Sequence, residues 1–425
     1  MVICAVGVLV FAAYAHPGFM SFDSAWQLKE GRAGQYSDWH PPAMAAIWGV
    51  LDRIVKGPLL MLVLQAGAFA AGVLVLVRKR RSLNTALIAT GTLLVFPPIA
   101  TTLAVIWKDS QMLGLVMLGT ALIAPPASVR TRVAGVCVLA LATAMRHNAF
   151  TVTLAIVVGL LELPARTRLR RYAAAAAVWI AITIAAFGAN RLLTDNAMHP
   201  WHGSLAVFDV LGTLHFAGPL SDAEIRDTLR GTHFDDTPPL QHRVDSAYSP
   251  FFGIFRDFRV HFIDQPATDA ERTAMARAFR SAVLAHPFAY LWHRASAFRE
   301  VLQLYRRHFD RVWTGYDRWA GYSHTPGAVQ AWLIGWAHRT DDTFLYFPYL
   351  YLIAVCLAGA YAIRRRDRLL VVLVASALIS ELSLFVIAPT PDFRYSIWLV
   401  LVAVLAPWLR TPTASGRLHH QGAGL

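Results

Sequence analysis

The chain has 425 residues, of which 56% are hydrophobic and only 15% are charged, whereas a soluble globular chain has about 25% charged residues. Together with a mean hydropathy of +0.45, this composition excludes a disordered chain, a collagen and a small disulfide-bonded scaffold, because it has more apolar surface than a compact soluble fold can bury. It predicts an all-α integral membrane protein that crosses the bilayer several times.

The predicted spans are the apolar stretches that approach the roughly 20 residues needed to cross a bilayer core. Ten stretches qualify: 1–16, 58–77, 84–103, 111–127, 133–146, 149–164, 172–192, 343–363, 369–388 and 395–410. The first stretch has no basic flank and ends near Ala13-Tyr14-Ala15, which resembles a signal-peptide cleavage site. We interpret it as an uncleaved anchor; a cleaved signal peptide would leave nine spans.

The net charge of +13 divides between the two sides of the membrane. Sixteen Lys and Arg residues lie in connections that the alternation of spans places on one side, and only seven lie in the short connections opposite. By the positive-inside rule the richer side is cytoplasmic. The remaining sixteen belong to one long segment, 190–340, to which that rule does not apply. The charge therefore reflects topology, and no nucleic-acid partner is needed to explain it.

Four regions follow from this topology. The first, 1–192, is a bundle whose first outside loop, 17–57, ends in a predicted interfacial helix at 42–55. The second, 193–342, is a large outside helical domain between spans seven and eight, in which Ser221–Glu224 and Thr268–Glu271 have the pattern of capping boxes. A further helix is predicted from Pro287 to about Arg307. The last three spans occupy 343–410, and 411–425 is predicted to be a disordered cytoplasmic tail.

Polar motifs cluster at the outer ends of the spans, where charges are costly and therefore informative. The motifs are Ser21–Gln27, Tyr36–Pro42, Trp107–Asp109, Arg146–Asn148 and Pro389–Tyr395. Asp23 and Asp38 are the candidate catalytic bases. Lys108, Arg146 and Arg394 are candidates for holding a phosphate by charge-assisted hydrogen bonds. The candidate substrate-binding residues are Trp26, Tyr36, Trp39, His40, Trp107, Asp109 and Tyr395, whose aromatic members offer flat faces to a sugar ring.

The ordered strings FDSAWQ, YSDWHPP, WKD, RHNA, HPFAYLWHR and FRYS resemble a bacterial branch of the GT-C superfamily of polytopic glycosyltransferases. The resemblance implies transfer of a sugar from a polyprenyl-phosphate carrier to an acceptor glycan, lipid or protein, at the periplasmic face of the cytoplasmic membrane and with inversion at the anomeric carbon. It also implies that Asp23 is the base. Many members have an adjacent Asp-Glu pair, whereas Ser24 follows Asp23 here, so Asp38 is the second candidate. No cofactor is expected, and a divalent metal is not indicated.

Structural interpretations compete with these assignments. Asp23 and Asp38 are good N-cap residues, and Lys108 with Asp109 could form a solvated ion pair of little energetic weight. His293 and Arg294, in the large domain, are interpreted as packing residues. The rival functions are a ligase or polymerase that moves glycans from a lipid pyrophosphate, and a transporter or flippase. A transporter usually carries its charges near the midplane in repeated halves, and this sequence shows no repeat.

Overall fold

The computed structural model describes residues 1–234, 237–250, 268–304, 311–317, 319 and 321–410. Within these ranges the secondary structure is helical, and backbone pairing of the β type is limited to isolated bridges. The α-helices in chain order are α1 (Val2–Ala15), α2 (Phe22–Ala33), α3 (Pro42–Ile54), α4 (Leu59–Arg78), α5 (Leu83–Val95), α6 (Pro97–Leu103), α7 (Lys108–Ile123), α8 (Val129–Met145), α9 (Ala149–Leu160), α10 (Arg168–Leu193), α11 (Ala206–Phe216), α12 (Asp222–Leu229), α13 (Leu240–Ala247), α14 (Asp269–Ala285), α15 (Pro287–Val301), α16 (Ala328–Asp341), α17 (Pro348–Arg365), α18 (Arg368–Ile387) and α19 (Ile397–Leu409).

The prediction of a multi-pass helical membrane protein is confirmed. Three of the described helices, α4, α10 and α18, are long and apolar enough to cross a membrane by themselves, and a bent pair, α5 with α6, brings the number to four. The other predicted spans also contain apolar helices, but these are shorter. The count of ten spans and their orientation therefore stay predictions.

The predicted span 84–103 is a single stretch in the sequence, whereas the structure divides it into α5 and α6, which meet at 71°. The break falls at Pro97-Pro98, where proline cannot donate the backbone hydrogen bond of a continuing helix. The chain after α6 is not helical, and Gln65 Nε2 donates to the carbonyls of Leu103, at 2.6 Å, and Val105, at 3.0 Å. These hydrogen bonds satisfy carbonyl groups at the end of α6 and in the non-helical residues that follow it. The chain then enters α7, whose first two residues are Lys108 and Asp109.

The first loop folds into two helices that pack closely. Ser21 and Ser24 form a reciprocal cap that starts α2, and Gly34 ends it in the left-handed conformation, with φ of 66°. A helix is present where one was predicted at 42–55, as α3, and its place at the membrane interface stays a prediction. Gly31 and Gly49 face each other where α2 crosses α3, and a Cβ at either glycine would overlap backbone atoms of the other helix. The close crossing positions the first turn of α2, which carries Asp23.

The large segment, 193–342, contains its own apolar core, formed by α11 to α14. Both predicted capping boxes are present, at the starts of α12 and α14. The helix predicted to reach about Arg307 was too long: α15 ends at Val301, and Gln303 has a φ of 52°, which a continuing helix does not allow. Val301 packs against Leu384 and Ala388, so α15 contacts the end of α18. The predicted tail 411–425 lies outside the described residues.

We expect Gly49→Val to lower the free energy of unfolding by about 1–3 kcal/mol, because its side chain would overlap the backbone of Gly31 and separate α2 from α3. The matched control is Gly67→Val, since a Cβ at Gly67 of α4 meets no atom within 4 Å. Thermal unfolding of the purified chain in detergent measures both. Equal destabilisation of the two variants would show that the crossing is not tightly packed.

Candidate active site

A cavity of about 550 Å³ lies where the first loop meets the ends of α8, α10 and α18 and the start of α7. Its charged and titratable lining residues are Asp23, His40, Lys108, Arg146, His147, Asp392 and Arg394. Phe150, Phe187, Leu384 and Ile387 give it an apolar wall. The cavity therefore joins a charged floor to a lipophilic side, which is the combination that a phosphate with a hydrocarbon tail requires.

Asp23 and Arg394 form the central ion pair of this cavity. Arg394 Nη2 lies 2.8 Å from Asp23 Oδ2, and the side chains are 13% and 25% exposed. The same Nη2 lies 3.3 Å from Asp392 Oδ2. The guanidinium also stacks 4.6 Å above the Trp107 ring, which is held by a 2.7 Å hydrogen bond from Trp107 Nε1 to Ser21 Oγ. Arg394 is thus oriented by carboxylates on one side and an indole on another.

Asp109 forms the buried centre of the cation cluster. It is fully buried, and Arg146 Nη1 lies 2.7 Å from its Oδ1. Arg394 Nε lies farther away, at 3.9 Å from the other carboxylate oxygen. The Arg146 guanidinium also stands 5.2 Å from the centre of the Tyr395 ring. Asp109 therefore holds two cations that would otherwise repel each other, and it is enclosed too well to touch a substrate.

Lys108 is the cation of the site that has the fewest partners. Its Nζ lies 3.0 Å from His40 Nδ1, and among the described residues no carboxylate forms a salt bridge with it. Burial, reinforced by the Lys108 charge, lowers the pKa of His40 from 6.5 to about 3. His40 is therefore neutral and accepts at Nδ1, which leaves the hydrogen on Nε2, 3.9 Å from Asp23 Oδ1.

The charge state of Asp23 follows from its neighbours. Burial alone would raise its pKa, but the Arg394 and Lys108 charges, with the hydrogen bond from Arg394, outweigh burial and lower the pKa of Asp23 below the usual range of a carboxyl. Burial also lowers the pKa of Lys108, against the attraction of Asp23. The resting site thus contains an ionised carboxylate that is directly paired with a guanidinium.

The structure brings some of the predicted site residues together and separates others. Asp23, Lys108, Arg146, Arg394, His40, Trp39 and Tyr395 line the cavity, and Trp107 and Asp109 support it from behind. Asp38 does not line the cavity. Its carboxylate accepts hydrogen bonds from the backbone N–H groups of Met198 and His199. Tyr36 joins Asp195 through its backbone, and Trp26 lines a different cavity.

Several polar residues in or near the cavity were not among the predicted site residues, and His147, Asn148, Ser204, Thr390 and Asp392 line it. Asp392 approaches Arg394, and Asn148 lines the cavity beside Arg146. Glu381 is buried within α18 and accepts a 2.8 Å hydrogen bond from Ser396 Oγ. Glu381 had a sequence signal, because it is an acidic residue within an apolar span, and such residues are rarely placed there without a partner.

A metal site has no support in the described part of the chain, where no group of three or more His, Cys, Asp and Glu side chains is spaced to hold an ion. The cavity described above contains two carboxylates, Asp23 and Asp392, and each already lies beside Arg394. The chemistry that these residues offer is proton acceptance and anion binding.

Fold and site together define a multi-pass helical membrane protein with a cation-lined cavity that opens beside apolar side chains. Comparison with solved structures finds similarity to ArnT from Cupriavidus metallidurans, in crystal structures bound to undecaprenyl phosphate and in the apo state. The first has 14% identity and a TM-score of 0.37, and the match covers 98% of this chain and 78% of that one. The second has the same identity and TM-score, with coverages of 96% and 77%.

The identity and TM-score are too low to assign an activity to this chain. No protein-family model and no curated protein sequence matches it. The function must therefore be argued from the residues of the cavity.

The low pKa of His40, about 3, has a consequence for stability. As the pH falls from 6.5 towards 3, the unfolded chain takes up a proton on His40 and the folded chain does not, so the folded state loses stability. We expect His40→Gln to lose less stability across this window, because glutamine can still accept from Lys108. The melting temperature in detergent, measured across this range, tests the expectation. His242→Gln, at an exposed position of α13, is the control, and a His40→Gln variant as acid-sensitive as the parent would contradict it.

Proposed function

We propose that this protein is a glycosyltransferase that moves a sugar from a polyprenyl-phosphate carrier to an acceptor glycan, lipid or protein at the periplasmic side of the bacterial cytoplasmic membrane. The observation that carries the proposal is the cavity itself. It combines an ionised carboxylate, Asp23, with a cation that pairs with no described carboxylate, Lys108, beside an apolar wall. A base and an anion-binding group within one cavity are the two components that the reaction needs.

The donor phosphate binds to the cations of the cavity floor. Lys108 provides the first contact because no carboxylate of the described residues competes for it, and Arg146 and Arg394 provide guanidinium groups suited to phosphate oxygens. The polyprenyl chain leaves along the apolar wall, past Phe187, which is 42% exposed. The sugar lies near Trp39 and Tyr395, which line the same cavity.

In the transfer step a hydroxyl or amine of the acceptor attacks the anomeric carbon of the donor. Its proton passes to an Asp23 carboxylate oxygen as the new bond to the sugar forms. The bond between the anomeric carbon and the phosphate oxygen breaks, and the electron pair stays with the phosphate. Attack from the side opposite the leaving group inverts the anomeric centre, and Lys108, Arg146 and Arg394 stabilise the departing lipid phosphate.

The Asp23–Arg394 pair sets the order of donor binding and acceptor deprotonation. In the resting site the guanidinium holds the carboxylate at 2.8 Å and lowers its pKa, which makes Asp23 a weak base. A phosphate on Arg394 competes with Asp23 for the same Nη2 atom, so donor binding releases the carboxylate and strengthens it as a base. The donor therefore binds before the acceptor is deprotonated.

A ligase or polymerase would be expected to use Arg and His of the large segment. His293 and Arg294 are fully buried there, and both contact the Asp209 carboxylate. Arg294 Nη1 donates a 3.0 Å hydrogen bond to the Ala388 carbonyl. These contacts favour a structural role for both residues, so they give this rival no support.

We expect Asp23→Asn to lower the rate of sugar transfer by about 100- to 10,000-fold, the usual contribution of a general base. The affinity for undecaprenyl phosphate should be retained or increased, because Arg394 loses a competing carboxylate. Asp38→Asn is the matched control, since its amide oxygen still accepts from the two backbone N–H groups. Transfer in membranes and undecaprenyl phosphate binding to the purified chain measure the two effects. If Asp23→Asn retained full transfer activity, Asp23 would not be the base.

We expect Lys108→Gln to weaken undecaprenyl phosphate binding by about ten- to a hundredfold, which is the loss of one charge-assisted hydrogen bond. Glutamine retains a donor for His40 Nδ1, so the cavity keeps its shape. Lys56→Gln removes an equal charge from the first loop, where Lys56 Nζ pairs with Asp52 at 3.2 Å, and should have no effect. Similar binding by the two variants would place the phosphate elsewhere.

A further inference from the structure

A second cavity, of about 430 Å³, lies against another face of α2, away from the cation cluster. Its walls include Phe22, Trp26, Lys29, Glu30, Gln35 and Trp319. Phe22 is 47% exposed and Trp319 is 59% exposed. Large exposed aromatic side chains around a concavity that also has charged and amide groups are typical of a ligand-binding site.

Trp319 is held opposite α2 by backbone hydrogen bonds that connect distant parts of the chain. The Met20 N–H donates to the Gly315 carbonyl at 3.0 Å, and the Asp317 N–H donates to the Met20 carbonyl at 2.8 Å. The Trp319 N–H then donates to Asp317 Oδ1 at 2.9 Å. Lys29 Nζ lies 5.9 Å from the centre of the Trp319 ring. The backbone of Trp319 is therefore held next to α2, which places the indole beside that helix although the two are far apart in the chain.

Trp26 is fixed on the other wall. Its Nε1 donates a 2.8 Å hydrogen bond to Glu30 Oε1, which also accepts a 2.6 Å hydrogen bond from Ser37 Oγ. Because these contacts occupy the polar edge of the indole, its apolar surface is left for the cavity. The two tryptophans thus present preorganised aromatic surfaces at little further cost in conformational entropy.

Trp26 also connects the two cavities. It lies one helical turn after Asp23 on α2, and its ring meets the His40 ring edge to face, with centroids 6.3 Å apart. His40 in turn lines the cation-lined cavity. A ligand held between Trp26 and Trp319 therefore contacts a side chain that itself meets a lining residue of the cation-lined cavity.

The chemistry of this cavity selects its occupant. Aromatic faces pack against the C–H surface of a sugar ring, and Lys29 and Gln35 supply donors for hydroxyl oxygens. Lys29 and Glu30 carry opposite charges, so the cavity does not favour a polyanion. A lipid tail would need no charged or amide groups in the lining. These properties favour a hydroxyl-rich, nearly uncharged ligand.

The geometry points to a carbohydrate-binding site between Trp26 and Trp319, which holds the glycan part of the acceptor next to Asp23. That the site binds carbohydrate depends only on the lining of the second cavity. That its carbohydrate is the acceptor rests on the proposed function.

Photocrosslinking of the full chain in its own cell membrane tests the site, because the photoreactive side chain captures whichever molecule occupies the cavity. Trp319→benzoylphenylalanine should give light-dependent adducts that contain carbohydrate by mass spectrometry. The control is Trp332→benzoylphenylalanine, which is also exposed, at 64%, but lines an apolar groove beside α1, and its adducts should contain only lipid. Adducts at position 319 that contain peptide or lipid without carbohydrate, or no adducts, would overturn the proposal.

Substitution of the same residue separates this inference from the proposed function. Trp319→Ala should lower sugar transfer by about tenfold, comparable to the loss of one good aromatic contact, with undecaprenyl phosphate affinity unchanged; Trp319→Tyr should restore most of the transfer. Carbohydrate adducts at position 319 without undecaprenyl phosphate binding at Lys108 would refute the proposed donor and keep the site. Normal donor binding and transfer in Trp319→Ala would refute the acceptor site alone.

Discussion

The ion pair between Asp23 and Arg394 is the contact on which the site depends. It connects the first turn of α2 with the turn between α18 and α19, and it does so at the edge of a cluster in which Asp109 already holds Arg146. The pairings let several charges approach one another in a partly buried place, where an isolated charge would be costly. The same pairings mean that an incoming anion must compete with carboxylates for Arg146 and Arg394, whereas at Lys108 it meets no carboxylate of the described residues.

The surrounding fold brings these charges together around one cavity. The break between α5 and α6 and the irregular stretch after it put Lys108 at a helix start, and the glycine crossing of α2 and α3 brings His40 to it. The large segment, 193–342, supports this arrangement, because α15 packs on the end of α18 and Arg294 binds the Ala388 carbonyl. Rigid helices therefore position side chains that lie at the helix ends and on the connections between them.

The sequence was most informative about local structure. Apolar runs located the helices of the bundle, and the serine and threonine caps located α12 and α14, because both signals depend on neighbours within a few residues. The positions of the polar motifs also predicted that Lys108, Arg146 and Arg394 would lie together. The sequence left Asp38 as the second candidate base beside Asp23, since the contacts that turn Asp38 away come from residues 198 and 199. Trp319 had no sequence signal, because its position depends on pairing with Met20.

The separation of Asp23 from Arg394, 371 residues along the chain, also bears on biosynthesis. Asp23, Asp109 and Arg146 are synthesised well before Arg394, so the ion pair between Asp23 and Arg394 can form only after the turn between α18 and α19 has been made. The pair therefore joins the earliest part of the site to its latest part, and the site is assembled only when almost all of the described residues are present.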